Sequence, residues 1–297
     1  MKKTLSLVLA LAMCLSLAAC GNNGAQDQSS QSGSNASASD GSSGSQQGDN
    51  SSVDAADSDW AKIESNGTMK IGITYFEPMN YMDDNGEFVG FETEFATAVC
   101  EKLGVEPEFV EINWDSKVME LESKNIDCIW NGMTITPELE EALTISDPYI
   151  KNYQVVVIRA DNADTYTTTA DLVGKTVEAE AGSAGETAIS EDENLSQATY
   201  VSVTKQTDAL LEVKTGAADA AVMDFVLANA MVGQGDYADL TVIPDLQLSV
   251  EEYGIGFRKD STAAEKVNAA IQALIDDGTL NTLAEKYGLA ELLLANQ

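Results

Sequence analysis

Apolar and polar positions alternate over Met69-Lys70-Ile71-Gly72-Ile73 with the period of a strand, and the aromatic, Pro-containing segment from Thr74 to Tyr81 reads as a loop. Asp83-Asp84-Asn85-Gly86 is a turn signal. Phe95, Val99 and Leu103 recur at helical spacing before Gly104, and Val105 to Ile112 predicts a strand. A helix around Val118 and Leu121 follows, then a strand at Ile126-Asp127-Cys128-Ile129-Trp130. Thr136-Pro137-Glu138 opens another helix, with Thr as cap, Pro at the first helical position and Glu in the first turn. This alternation predicts a mainly parallel sheet covered by helices.

The pattern restarts after the mid-chain strand Gln154 to Ile158. Leu172 to Val177, the loop Ala181-Gly182-Ser183-Ala184-Gly185, a short helix, the strand Tyr200 to Val203, a helix over Ala209 to Lys214, the strand Ala218 to Asp224 and a helix from Phe225 to Val232 repeat the order of the first half. Two α/β lobes follow from that repetition. The chain then predicts a strand at Tyr253-Gly254-Ile255-Gly256-Phe257, a helix from Ala263 to Asp277 and a last helix from Leu280 to Tyr287, with Gly278 and Gly288 as punctuation.

The first 58 residues lack this patterning. Lys2 and Lys3 precede an apolar run from Thr4 to Leu17, which has the length of a signal-peptide core and falls short of a bilayer span. It ends in Leu17-Ala18-Ala19-Cys20-Gly21, which resembles the lipobox of bacterial lipoproteins. That resemblance implies a leader at 1–20, lipidation of Cys20, and attachment at the extracytoplasmic face of the cell membrane. Residues 21–58 are rich in Ser, Gly, Asn, Gln, Ala and Asp and nearly free of apolar side chains. They are expected to form a disordered tether with a mean span of about 30–40 Å.

Charge and composition narrow the chemistry. The chain carries 16 Lys+Arg against 49 Asp+Glu, a net charge of -33, which disfavours nucleic acid as a partner. It has no histidine, so imidazole catalysis, Ser-His-Asp triads and His-based metal sites are excluded. Neither a metal nor another cofactor is expected. Cys100 and Cys128 lack metal-ligand spacing and read either as buried thiols or as one disulfide.

Over Ile71 to the C-terminus the chain resembles the polar amino-acid-binding family (family 3) of ABC-transporter solute-binding proteins. The resemblance is carried by Ile71-Gly72-Ile73 with Pro78-Met79, Phe88-Val89-Gly90-Phe91-Glu92, Gly132-Met133-Thr134-Ile135-Thr136-Pro137-Glu138, Ser146-Asp147-Pro148-Tyr149, Asp171 to Lys175, Ala181-Gly182-Ser183, Gly216 to Asp224, and Tyr253 to Lys259. It implies a type II periplasmic-binding-protein-like α/β fold with a hinge and an interlobe ligand cleft. Residues 69–149 and 253–297 would form lobe 1 and residues 153–250 lobe 2, joined near 149–153 and 247–253. The implied partners are a small ligand, an amino acid by family, and a separate ABC permease with its ATPase.

The resemblance also supplies candidate ligand contacts. Asp224 matches an ammonium-binding aspartate, whereas from the residues alone it reads first as an N-cap for the helix at Phe225, and the two roles can coexist. Gly132 and Thr134 match backbone and hydroxyl donors. Gly182 and Ser183 match the loop that meets a carboxylate at a helix start, although Ser183 also suits a cap. Phe76 matches an aromatic that stacks on the ligand, and Thr74 stands where the first loop usually has an acid. Trp130 and Asn131 precede Gly132 and either line the cleft or, for Trp130, belong to the core. Leu139 departs from the family, which has at this place an Arg that forks onto the ligand's carboxylate. The expected function is the extracytoplasmic, non-catalytic receptor of an ABC importer for a polar amino acid. Receptors for a small peptide, a modified amino acid or an amine, and a sensory surface lipoprotein, remain as alternatives.

Overall fold

The computed structural model describes Asp59–Gln297. The leader at 1–20, the lipidation site Cys20 and the tether at 21–58 lie outside the described residues. The first run of elements is α1 (Asp59–Asn66), β1 (Thr68–Ile73), the short ribbon β2 (Tyr81–Met82) and β3 (Phe88–Val89), α2 (Phe91–Leu103), β4 (Glu106–Glu111), α3 (Lys117–Glu122), β5 (Cys128–Ile129), α4 (Pro137–Ala142) and β6 (Leu143–Ile145). The second run is β7 (Ile150–Arg159), β8 (Thr176–Glu180), α5 (Ala184–Glu191), β9 (Thr199–Val203), α6 (Gln206–Thr215), β10 (Ala220–Asp224), α7 (Phe225–Met231), β11 (Leu240–Val242) and β12 (Val250–Tyr253). The chain closes with β13 (Gly256–Arg258), α8 (Ala263–Asp276) and α9 (Thr279–Lys286).

Two main sheets result. The first has the order β4-β1-β5-β13-β6, and the second β11-β7-β10-β8-β9 with β12 also paired to β7. The first sheet therefore takes its fourth strand from the far end of the sequence. Both sheets are mixed, whereas the alternation of strands and helices predicts mainly parallel ones. Pairings among β1, β4 and β5 and among β8, β9 and β10 are parallel, but β13 is antiparallel to β5 and β6, and β7 is antiparallel to β10, β11 and β12. β7 and β13 each follow the previous strand with no α-helix between, so no right-handed βαβ unit fixes their direction.

Where β7 begins and β12 ends, the two strands pair from Val250 opposite Tyr153 to Tyr253 opposite Ile150. Beyond Tyr253 the expected continuous strand breaks at Gly254-Ile255, and β13 starts at Gly256 in the other sheet. α1 is an element the hydrophobic pattern does not reveal. It buries Trp60 and Ile63, and Asp59 at its start pairs with Arg258 at 2.8 Å.

The helix signals translate into bonds. Thr136 Oγ1 accepts from Leu139 N at 3.2 Å with Pro137 in the first turn of α4, and Ser183 Oγ accepts from Glu186 N at 3.2 Å at the start of α5. α2 buries Phe91, Phe95 and Val99, and Phe95 meets Trp130 edge-on with ring centroids 5.0 Å apart. Cys100 and Cys128 are free thiols, both buried, and burial pushes the Cys100 thiol up to about 12.

Gly90 permits the tight entry into α2. Its φ of +132° is a region open to glycine, and a Cβ there would overlap the Met79 carbonyl and stand 2.9 Å from Asn80 N. Gly90→Ala should therefore destabilise the fold by about 1–3 kcal/mol in chemical denaturation, through backbone strain rather than lost packing.

Candidate functional site

A cavity of about 590 Å³ opens between the two sheets. One wall comes from the ends of β1 and β5 and the loop into α4. The other comes from the ends of β8 and β10, the start of α5, Gln206 on α6, and β12. Of the residues singled out in the sequence, Thr74, Phe76, Asn131, Gly132, Thr134, Gly182, Ser183 and Asp224 line it. Trp130 does not. It is 0% exposed, in the core against Phe95, because its strand is covered on both faces and the side chain turns away from the cavity.

Asn131 and Thr74 are tied to each other. Asn131 Oδ1 accepts from Thr74 N at 3.0 Å and Thr74 Oγ1 at 2.7 Å, while its Nδ2 donates to Thr74 O at 2.9 Å. This amide holds the first loop in shape. Phe76 is buried against Gly132, whose φ is +56°, and a Cβ at Gly132 would sit 2.5 Å from Phe76 Cε1. Gly132 N donates to both oxygens of Glu92 at 3.0 Å, and Tyr149 Oη donates to the same carboxylate. Glu92 is fully buried, and desolvation pushes its carboxyl up to about 7. It positions the Gly132–Thr134 loop without reaching the cavity.

At the opposite wall, Asp224 has the extended dihedrals of an N-cap, yet its side chain makes no capping bond. Asn152 Oδ1 caps α7 in its place, accepting from Val226 N at 3.2 Å. Asp224 Oδ1 accepts from Asn152 Nδ2 at 2.6 Å and Gln154 Nε2 at 2.7 Å, and Oδ2 accepts from Gln206 Nε2. A carboxylate offers about four acceptor positions. Among the described residues amides fill three of them, and the Tyr253 hydroxyl and Glu251 carboxyl stand against the same carboxylate.

Two further acids share this wall. Glu251 Oε1 accepts from the same Asn152 and from Gln154 at 2.8 Å. Glu180, at the end of β8, has Oε1 with no partner among the described residues. Glu180, Asp224 and Glu251 are 4%, 6% and 8% exposed. Burial, and then the charge of Asp224, push the carboxyls of Glu180 and Glu251 up to about 8.

Lys117, at the first turn of α3, is the one cationic side chain among the described residues that line the cavity, against five acidic ones, Glu138, Glu180, Glu191, Asp224 and Glu251. The chain's two arginines are engaged elsewhere: Arg258 with Asp59, Asp127 and backbone carbonyls, Arg159 with Asp161. Leu139 brings an apolar side chain to the wall and packs with the Trp114 cluster.

Glu180, Glu251, Lys117 and Gln206 were not singled out from the sequence. The signal for Glu180 was an acid inside the strand Thr176–Glu180, where burial on both faces makes a charge costly. Lys117, Gln206 and Glu251 had no local signal, because only the meeting of α3, α6 and β12 makes them neighbours.

The loop around Gly182 connects the walls. Lys117 Nζ donates to Gly182 O at 2.8 Å, and Gly182 packs on Asp115, 3.0 Å from its would-be Cβ. Outside the cavity Lys205 pairs with Glu111 at 2.7 Å and lies over the Tyr75 ring. Gly182 N is taken by Glu186 Oε2 at 2.7 Å, and Ser183 Oγ caps α5, so both sides of that loop are braced by the helix they precede.

Residues 69–290 match the family model described as bacterial extracellular solute-binding proteins, family 3. The arginine-binding extracellular protein ArtP of Bacillus subtilis is 31% identical over 220 residues, covering 73% of this chain and 84% of that protein. The L-cystine-binding protein TcyJ of Escherichia coli is 30% identical over 230 residues, 76% of this chain and 84% of that one. Among solved structures, holo ArgBP from T. maritima superposes with a TM-score of 0.67 at 36% identity, covering 77% of this chain and 99% of that chain. An ABC uptake transporter substrate-binding protein from Streptococcus pneumoniae with bound histidine gives a TM-score of 0.72 at 31% identity, covering 80% and 99%.

Proposed function

We propose, for a chain that belongs to the bacterial extracellular solute-binding proteins of family 3, that the polar amino acid it carries has a cationic side chain. The protein is the extracytoplasmic binding component of an ABC amino-acid importer and binds a polar amino acid between two lobes, in a family that is non-catalytic. The observation that carries the cationic reading is the acid-rich cavity wall: three carboxyl side chains at least nine-tenths buried, Glu180, Asp224 and Glu251, face one lysine and would ionise beside a bound cation. Buried acids need donors, and Glu180 Oε1 lacks one among the described residues. A ligand with two cationic groups supplies them, its ammonium at Asp224 and its side-chain cation towards Glu180. Relatives named for arginine and histidine support the same class.

Thr74, Phe76, Asn131, Gly132, Thr134, Gly182, Ser183 and Asp224 then surround the ligand. The paired segments at 149–153 and 247–253 act as the hinge between lobe 1 (69–149 and 253–297) and lobe 2 (153–250), and closure is driven by contacts made to both. Cys20 carries the lipid that holds the protein at the membrane, residues 21–58 serve as the tether, and a separate permease with its ATPase receives the ligand. A thermal-shift panel of the standard amino acids with ornithine tests the ligand class. Arginine, lysine, ornithine or histidine should raise the melting temperature by several degrees more than neutral amino acids, and aspartate and glutamate should leave it unchanged. A largest shift with an acidic amino acid would overturn the reading.

A further inference from the structure

An amino acid brings a carboxylate into a cavity already lined by five acids, so something on the wall must offset it. The chain's two arginines are bound elsewhere, and Leu139 offers no charge. Lys117 remains. It is 9% exposed, a buried ammonium, and among the described residues it pairs with no carboxylate. Its Nζ donates to two backbone oxygens, Gly182 O at 2.8 Å and Trp114 O at 3.3 Å, and lies over the Trp114 ring, 4.8 Å from the centroid. An ammonium has three N–H donors. Two are held by carbonyls, and one is left at the cavity wall.

The surroundings suit an anion at that spot. Gly182 O fixes Nζ next to the loop that opens α5, and the N–H groups of Ala184 and Gly185 in the first turn of that helix have no carbonyl one turn back. Burial pulls the Lys117 pKa below its ordinary value although Glu180, Asp115 and Glu186 favour its charge, and an arriving anion offsets the remaining cost.

We propose that Lys117 is the specificity residue that receives the ligand's α-carboxylate, set between the Trp114 turn and the Gly182–Ala184 loop. The inference rests on the amino-acid reading above. It adds that discrimination for a carboxylate comes from this lysine, and that the same ammonium, held by Gly182 O across the cleft, ties carboxylate binding to closure.

The test compares each amino acid with its decarboxylated amine by calorimetry on the mature chain: L-arginine with agmatine, L-lysine with cadaverine and L-ornithine with putrescine. The wild-type protein should prefer the amino acid by at least tenfold. Lys117→Met should erase that preference by weakening the amino acid at least tenfold, with amine affinity held or raised by the lost positive charge, and Lys117→Arg should keep it. Equal or tighter binding of the amines by the wild-type protein overturns the proposal without need of any variant, as does a preference that survives Lys117→Met. If only a neutral amino acid binds, the cationic reading fails by itself, and the Lys117 comparison is made on that amino acid and its own amine.

Discussion

Asp224→Ala is expected to lower ligand affinity at least a hundredfold in calorimetry while the protein stays folded. The carboxylate is 6% exposed, lines the cavity and is organised by Asn152, Gln154 and Gln206. A charge-assisted bond from a bound ammonium in a desolvated site contributes about 2–5 kcal/mol when one partner is truncated. The fold should tolerate the change for two reasons. α7 is capped by Asn152 and keeps that bond, and loss of Asp224 removes the charge that raises the Glu180 and Glu251 pKa values. The Asn152 and Gln154 amides also retain Glu251 as an acceptor. Unchanged affinity would remove Asp224 from the ligand's contacts.

The second large effect is a dependence on pH whose sign differs for binding and for stability. In the empty cavity burial, and then the charge of Asp224, push the Glu180 and Glu251 carboxyls up to about 8, so both favour the protonated form at neutral pH. A cation favours the ionised form, so binding releases protons and affinity rises as pH increases towards 8, about tenfold per pH unit for each proton released. Between pH 6 and 8 the gain should reach about fiftyfold for one proton, because the group is half ionised at the upper end. Calorimetry in buffers of different ionisation enthalpy counts the protons directly, and zero release at pH 7 would rule the linkage out.

The empty protein should behave oppositely. Burial pushes the carboxyls of Glu92, Glu180 and Glu251 up to about 7, 8 and 8 in the folded protein, above the ordinary glutamate value of 4.5. The folded state then binds more protons than the unfolded one between those values. Its stability is fully present below pH about 4.5 and is lost as pH rises through 7 to 8. The melting temperature of ligand-free protein should therefore fall between pH 5 and 8, and a cationic ligand should restore most of that loss at pH 8.

The elements were largely legible because local signals and burial agree. Strand periodicity at Met69–Ile73, the cap Thr136 with Pro137, and Gly104 after α2 each act over a few residues, and each formed as the pattern predicts. α1 escaped because it follows a polar segment and buries only two side chains. The mixed character of the sheets escaped for a different reason. Strand direction depends on which edge a strand joins, and β13 reaches its sheet from the far end of the sequence.

In the site, eight of the nine candidate ligand contacts line one cavity, since loops at strand ends are where such a fold exposes backbone and side chains. Trp130 lies one residue before that loop, and one residue in a strand reverses the facing of a side chain. The sequence by itself determined the alternation of strands and helices, the glycines and caps that end them, and the loops that come to line the cavity. Only the tertiary structure decided the charge that the ligand meets. Lys117, Glu180, Gln206 and Glu251 come from four separate elements. A buried charge acquires its meaning from neighbours a few ångströms away, and sequence distance does not encode which neighbours those are.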